Sequence, residues 1–130
     1  MILNDWLAQN SSKLTRAGSK SARLDCLVLA GYVLNKTTAY ILANLSETLT
    51  AGQLKKLDNL VAERMNSVPI AYLTSTKDFY GRTFMVNKDV LIPRPESEDI
   101  IDLLKKHVYD RKSVVDIGTG SGCLAITAKL

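Results

Sequence analysis

The stretch "VVDIGTGSGCLAITAKL", residues 114–130, reads as an apolar strand, a glycine loop and the opening of a helix. With Ser113, "SVVDI" is β-branched and apolar, as a parallel strand buried on both faces would be. Gly118, Gly120 and Gly122 follow in alternation behind Asp116. Glycine lets the chain turn sharply and lets backbone approach a ligand, and the next helix presents free amide donors at its N-terminus. The unit is that of a nucleotide-binding α/β sheet.

Spacing narrows the ligand. A dinucleotide fingerprint asks for Gly or Ala at position 123, where this chain has Cys123. A phosphate-binding P-loop asks for a lysine directly after Gly122, and none follows. What remains, GxGxG behind a strand ending in Asp116, is the pattern of α/β S-adenosylmethionine-dependent methyltransferases. Another nucleotide, or a purely structural strand-to-helix turn, stays open at this point. The cofactor reading assigns Asp116, Gly118, Thr119, Gly120, Ser121 and Gly122 to the ligand, with Asp116 accepting from its ammonium. The alternative for Asp116 is a carboxylate that caps the adjacent loop amides.

Working back from the loop, "IPRPESEDIIDLLKKH" predicts a helix from Pro95 to His107. Pro95, Glu96, Glu98 and Asp99 suit the first turn, and Lys105, Lys106 and His107 suit the negative end of the dipole. The single histidine is therefore a helix-end charge. Further upstream, "TKDFYG" and "RTFMVNKDVLI" alternate around Gly81 and predict a hairpin with Phe79, Phe84 and Val86 inward.

Residues 1–74 have helical periodicity instead. Leu3, Trp6, Leu7 and Leu14 mark a first helix to about Arg16, with "QNSS" a candidate break. Leu24, Leu27, Val28, Gly31 and Leu34 mark one face of a second, and "TTAYILANL" makes a third. Thr50 and Gln53 form a capping box ahead of a fourth, whose buried stripe is Leu54, Leu57, Leu60, Val61 and Met65. Pro69 opens a short fifth, "PIAYLT". The fold class expected is mainly α: a helical bundle over 1–74, a β-hairpin linker over 75–94, and the first part of a Rossmann-like α/β domain over 95–130.

At 46% apolar and 23% charged, the 130 residues are ordinarily globular, with no run near the roughly 18 apolar residues of a membrane span. "MILNDWLAQNSSKLTR" lacks the basic-then-apolar order of a secretory signal, so a cytoplasmic location is expected. Cys26 and Cys123 have no metal or redox spacing and read as free, buried thiols. The net charge of +4 is concentrated at Lys13, Arg16, Lys20 and Arg23, a solvated face or a weak contact for RNA or the ribosome.

A second motif completes the reading. "VPIAYLTSTKDFYGRTFMVNKDVLIPRPESEDII" followed by "VVDIGTGSGCLAI" closely resembles the release factor glutamine methyltransferases, the PrmC/HemK family, over essentially the whole chain. The resemblance implies an N-terminal helical docking domain, a hairpin linker and a catalytic domain that methylates the Gly-Gly-Gln glutamine of peptide chain release factors, with S-adenosylmethionine as methyl donor. Arg94, Pro95 and Glu96 would support the pocket, or serve structure alone. The family commonly has Gly-Glu-Pro where this chain has Ser67, Val68 and Pro69, and often Thr at the position of Ser97.

The family's amide-holding Asn-Pro-Pro-Tyr motif has no counterpart in these 130 residues, nor does an acidic ribose-binding residue about twenty positions after the loop. No catalytic residue is assigned, and the chain is expected to be an inactive fragment of the methyltransferase with half a cofactor site. A lone parallel strand lacks neighbours for its backbone groups, so residues after about 112 are expected to pack poorly. A nucleic-acid amino-methyltransferase, using the basic run for phosphates, and a non-enzymatic helical binding module are the alternatives.

Overall fold

Leu3, Trp6, Leu7, Asn10 and Leu14 recur at three- and four-residue spacing and are all buried on one face of helix α1 (Leu3–Arg16). The computed structural model describes residues 1–107 and 113–129. The chain divides into two units, Met1–Thr74 and Ser75–Leu130. No break occurs at "QNSS". Asn10 stays in the helix because its Nδ2 donates to the Trp6 carbonyl at 3.0 Å and its Oδ1 accepts from Lys13 Nζ at 3.1 Å. The free amides at the start of α1 are met from outside the helix. Leu3 N–H donates to the Glu47 carbonyl at 2.8 Å and Asn4 N–H to the Leu45 carbonyl at 2.9 Å.

Helices α2 (Ala22–Leu34), α3 (Thr38–Ala43), α4 (Ala51–Met65) and α5 (Ile70–Thr74) complete the first unit. Helix α2 is central, packing against α1, α3, α4 and α5. That position explains why its burial departs from a single apolar stripe. Leu27 and Gly31 are buried as expected, but Leu24 is 59% exposed, while Ala22, Asp25, Cys26, Leu29 and Ala30 are buried. A helix enclosed on several sides selects for small residues and paired polar ones as well as large apolar ones. At its end Lys36 N–H donates to the Gly31 carbonyl at 2.9 Å and Asn35 N–H to that of Tyr32 at 3.3 Å, with Asn35 left-handed at φ 53°. Gly31 is required there, since a Cβ would lie 2.7 Å from the Lys36 carbonyl oxygen.

Asp25 is buried yet fully engaged. It accepts from Ser19 Oγ and Ser21 Oγ, each at 2.9 Å, and from Arg64 Nε at 2.8 Å, which ties the start of α2 to α4. Helix α4 opens on the expected capping box. Thr50 Oγ1 accepts from Gln53 N–H at 3.2 Å, and Gln53 Oε1 accepts from Thr50 N–H at 2.8 Å. Leu57 and Val61 form its buried stripe, Leu54 and Leu60 are half-buried, and Met65, in the last turn, is exposed.

In the second unit, β1 (Thr76–Phe79) pairs antiparallel with β2 (Arg82–Met85), Phe79 facing Arg82 across the turn. The two turn residues, Tyr80 and Gly81, both have positive φ, 50° and 72°, so the connection has the twist that suits a two-residue hairpin. Phe79, Phe84 and Val86 are buried as their alternation predicts. The two phenylalanine rings meet edge-to-face at 6.3 Å and share a small core with Ile101 and Cys123. Pro95–Ser97 form a 3-10 turn that leads into α6 (Glu98–His107), and α7 (Cys123–Lys129) packs against α6.

The segment 113–117 does not form the buried strand its composition suggests. Val114, Val115 and Ile117 are 52%, 82% and 93% exposed. The cause is topological: among the described residues the only sheet is the β1–β2 hairpin, so this backbone has no ladder to join. The architecture is thus mostly helical, with seven α-helices and one two-stranded hairpin among the described residues.

Candidate functional site

Gly118, Gly120 and Gly122 have φ of 77°, 57° and 78°, which side-chain-bearing residues rarely adopt. The alternation read from the sequence is therefore a conformational requirement. Thr119 Oγ1 donates to Asp116 Oδ2 at 3.0 Å and Gly122 N–H donates to the Thr119 carbonyl at 2.9 Å, so the loop closes on itself. Ile126 N–H to the Gly122 carbonyl, 2.9 Å, begins α7. Asp116, Ser121 and Gly122 are half-buried, whereas Gly118, Thr119 and Gly120 are exposed.

The six loop residues assigned from the sequence are thus brought together by the structure. The Asp116 carboxylate is met by the side-chain hydroxyl of Thr119. A shallow cleft of about 470 Å³ borders the loop. Ser113, Val114, Asp116, Ala125, Ala128 and Lys129 line it, and it lies between segment 113–116 and α7 rather than over the glycines.

Arg94, Pro95 and Glu96 are exposed, and their visible role is to start the 3-10 turn, in which Ser97 N–H donates to the Arg94 carbonyl at 3.0 Å. Lys13, Arg16, Lys20 and Arg23 are exposed along the end of α1 and the start of α2. Lys13 is engaged by Asn10. His107 is exposed at the last residue of α6. Among the described residues there is no group of three or more His, Cys, Asp or Glu that could hold a metal ion.

A cluster that pattern reading did not single out surrounds Tyr80. Its N–H donates to Glu98 Oε1, its hydroxyl donates to Asp102 Oδ1, and Lys105 Nζ donates to that hydroxyl, each at 2.7 Å. The Lys105 ammonium also stands 4.4 Å from the ring centroid. The available signal was the i, i+4, i+7 spacing of 98, 102 and 105, which puts the three on one stripe of α6.

A five-helix bundle is followed in sequence by a hairpin and a left-handed glycine loop. A family model described as the PrmC N-terminal domain matches residues 5–74, and the chain belongs to the PrmC family. A release factor glutamine methyltransferase of Neisseria gonorrhoeae is 36% identical over 130 residues, which cover 100% of this chain and 44% of that protein. One from Mycoplasma mycoides is 35% identical over 130 residues, covering 98% of this chain and 46% of its own length. A bifunctional methyltransferase of Rickettsia conorii is 32% identical over 148 positions, covering 93% of this chain and 28% of its own length. The chain spans less than half the length of these relatives. No helix among its described residues is long and apolar enough to cross a membrane.

Proposed function

We propose that this chain supplies the docking bundle and the first half of the cofactor site of a cytoplasmic S-adenosylmethionine-dependent methyltransferase that modifies the Gly-Gly-Gln glutamine of peptide chain release factors. On this reading residues 1–74 dock the substrate protein, 75–94 form a hairpin linker, and 95–130 begin a Rossmann-like α/β domain. The observation that carries it is the left-handed glycine loop behind Asp116, placed downstream of a PrmC N-terminal bundle.

The loop suits the cofactor. Gly118 has open space where a side chain would stand, and at Gly120 a Cβ would meet only the Gly118 carbonyl oxygen at 4.0 Å, so ligand atoms can lie against the backbone. Thr119 occupies Asp116 Oδ2 and turns the carboxylate into a fixed acceptor whose other oxygen suits an ammonium group. S-adenosylmethionine, when bound, supplies an electrophilic methyl group. An amide nitrogen is a poor nucleophile because its lone pair is delocalised into the carbonyl. Transfer to glutamine therefore rests on positioning and on hydrogen bonds that polarise the amide.

The test joins residues 1–130 to the remaining C-terminal part of the Neisseria gonorrhoeae relative and follows transfer of labelled methyl groups. Label is expected on release factor, and neither on a variant lacking the Gly-Gly-Gln glutamine nor on RNA. Labelled RNA, or an unlabelled release factor, would refute the reading.

A further inference from the structure

Tyr80 occupies a turn position at φ 50°, where Asn or Gly would sit with least strain. A tyrosine there is explained by what its groups reach. The backbone N–H is received by Glu98, and the hydroxyl is held between Asp102 and Lys105, so one residue spans one stripe of α6. Glu98 directly follows the 3-10 turn Pro95–Ser97, so the bond that anchors the hairpin also fixes the end of the 94–97 segment. Neither the glycine loop nor the Phe79–Phe84–Ile101–Cys123 core needs the tyrosine hydroxyl.

We infer that Tyr80 and Glu98 are positioning residues that clasp the hairpin turn to α6 and hold the Arg94–Ser97 segment in place for cofactor binding. The cofactor part rests on the methyltransferase reading above and on the expectation that Arg94, Pro95 and Glu96 support the pocket. The clasp acts at two points with different chemistry. Glu98 needs only an acceptor oxygen, which Gln retains and Ala removes. The tyrosine hydroxyl both donates and accepts, and Phe abolishes both roles while keeping the ring under Lys105.

Two readouts test this. In the 130-residue chain, amide exchange at Ser97 and Tyr80 is expected to accelerate at least about tenfold in Glu98→Ala and to return to the parental rate in Glu98→Gln. In the chimera with the Neisseria gonorrhoeae C-terminal part, Glu98→Ala and Tyr80→Phe are expected to raise KM for S-adenosylmethionine several-fold with kcat held within about twofold, and Glu98→Gln to restore KM. A residue serving folding alone would lower the active fraction and kcat with KM unchanged. Unchanged exchange in Glu98→Ala overturns the clasp. Accelerated exchange with parental KM in both variants overturns its role in cofactor binding. A parental chimera that transfers no methyl group overturns the methyltransferase reading and the cofactor role with it, while the exchange result still decides the clasp.

Discussion

Ser67 shows how one backbone angle explains a departure from the family. It lies just past α4 at φ 66°, with its N–H donating to the Arg64 carbonyl at 2.9 Å and Val68 N–H to that of Glu63 at 3.2 Å. This is a helix ending that favours glycine at the left-handed position, the residue that the family commonly has there. Ser67→Gly is expected to stabilise the chain by about 1 kcal/mol, measured by urea unfolding, through removal of left-handed strain. Cys26 gives a second prediction. Burial, the largest influence, raises its thiol above the ordinary 9.0, and the Asp25 charge adds to the rise. The folded state then holds its proton more tightly than the unfolded state. The resulting stability is complete below pH 9.0 and declines as pH climbs from there through the raised folded value. Unfolding measured from pH 8 to 10 should show this decline in the parent and a shallower one in Cys26→Ala.

At the scale of elements, the capping box of α4 was legible because it is a local exchange of two hydrogen bonds between Thr50 and Gln53, independent of the rest of the fold. Thr50→Ala should cost about 1 kcal/mol by the same unfolding measurement, and Thr50→Ser little. The hairpin and α6 were legible for similar reasons, since alternation, a tight turn and matched helix-end charges are all local. What was misread depended on neighbours. "QNSS" continues as helix because the Trp6 carbonyl and Lys13 satisfy the Asn10 side chain. Leu24 points outward because α2 is packed by four other helices through its smaller residues. "SVVDI" has the composition of a strand but, among the described residues, no strand beside it, and sheet pairing is supplied by partners that composition cannot provide. The turns of the glycine loop were readable because their positive φ angles are local demands, whereas the Tyr80 cluster needed the hairpin's place on α6 to become visible.

At the scale of the molecule, two cores divide the work. The first, built around Trp6, Leu29, Ile41 and Leu57, closes without any residue beyond Leu73. The bundle over 1–74 should therefore fold by itself, and its thermal midpoint by circular dichroism should lie within a few degrees of that of the same bundle in the whole chain. The second core is small and supports a glycine loop preceded by exposed apolar residues. That asymmetry suits the proposed division between a self-contained docking bundle and a unit that carries the glycine loop. The most direct measurement is the rate of labelled methyl transfer to release factor by the chimera and by its Gly120→Val form. A β-branched residue is strained at the φ of 57° that Gly120 adopts, in an exposed loop outside both cores. A loss of about a hundredfold or more in transfer, with bundle unfolding unchanged, is the predicted result; equal rates for the two proteins would contradict the assignment of the cofactor to this loop.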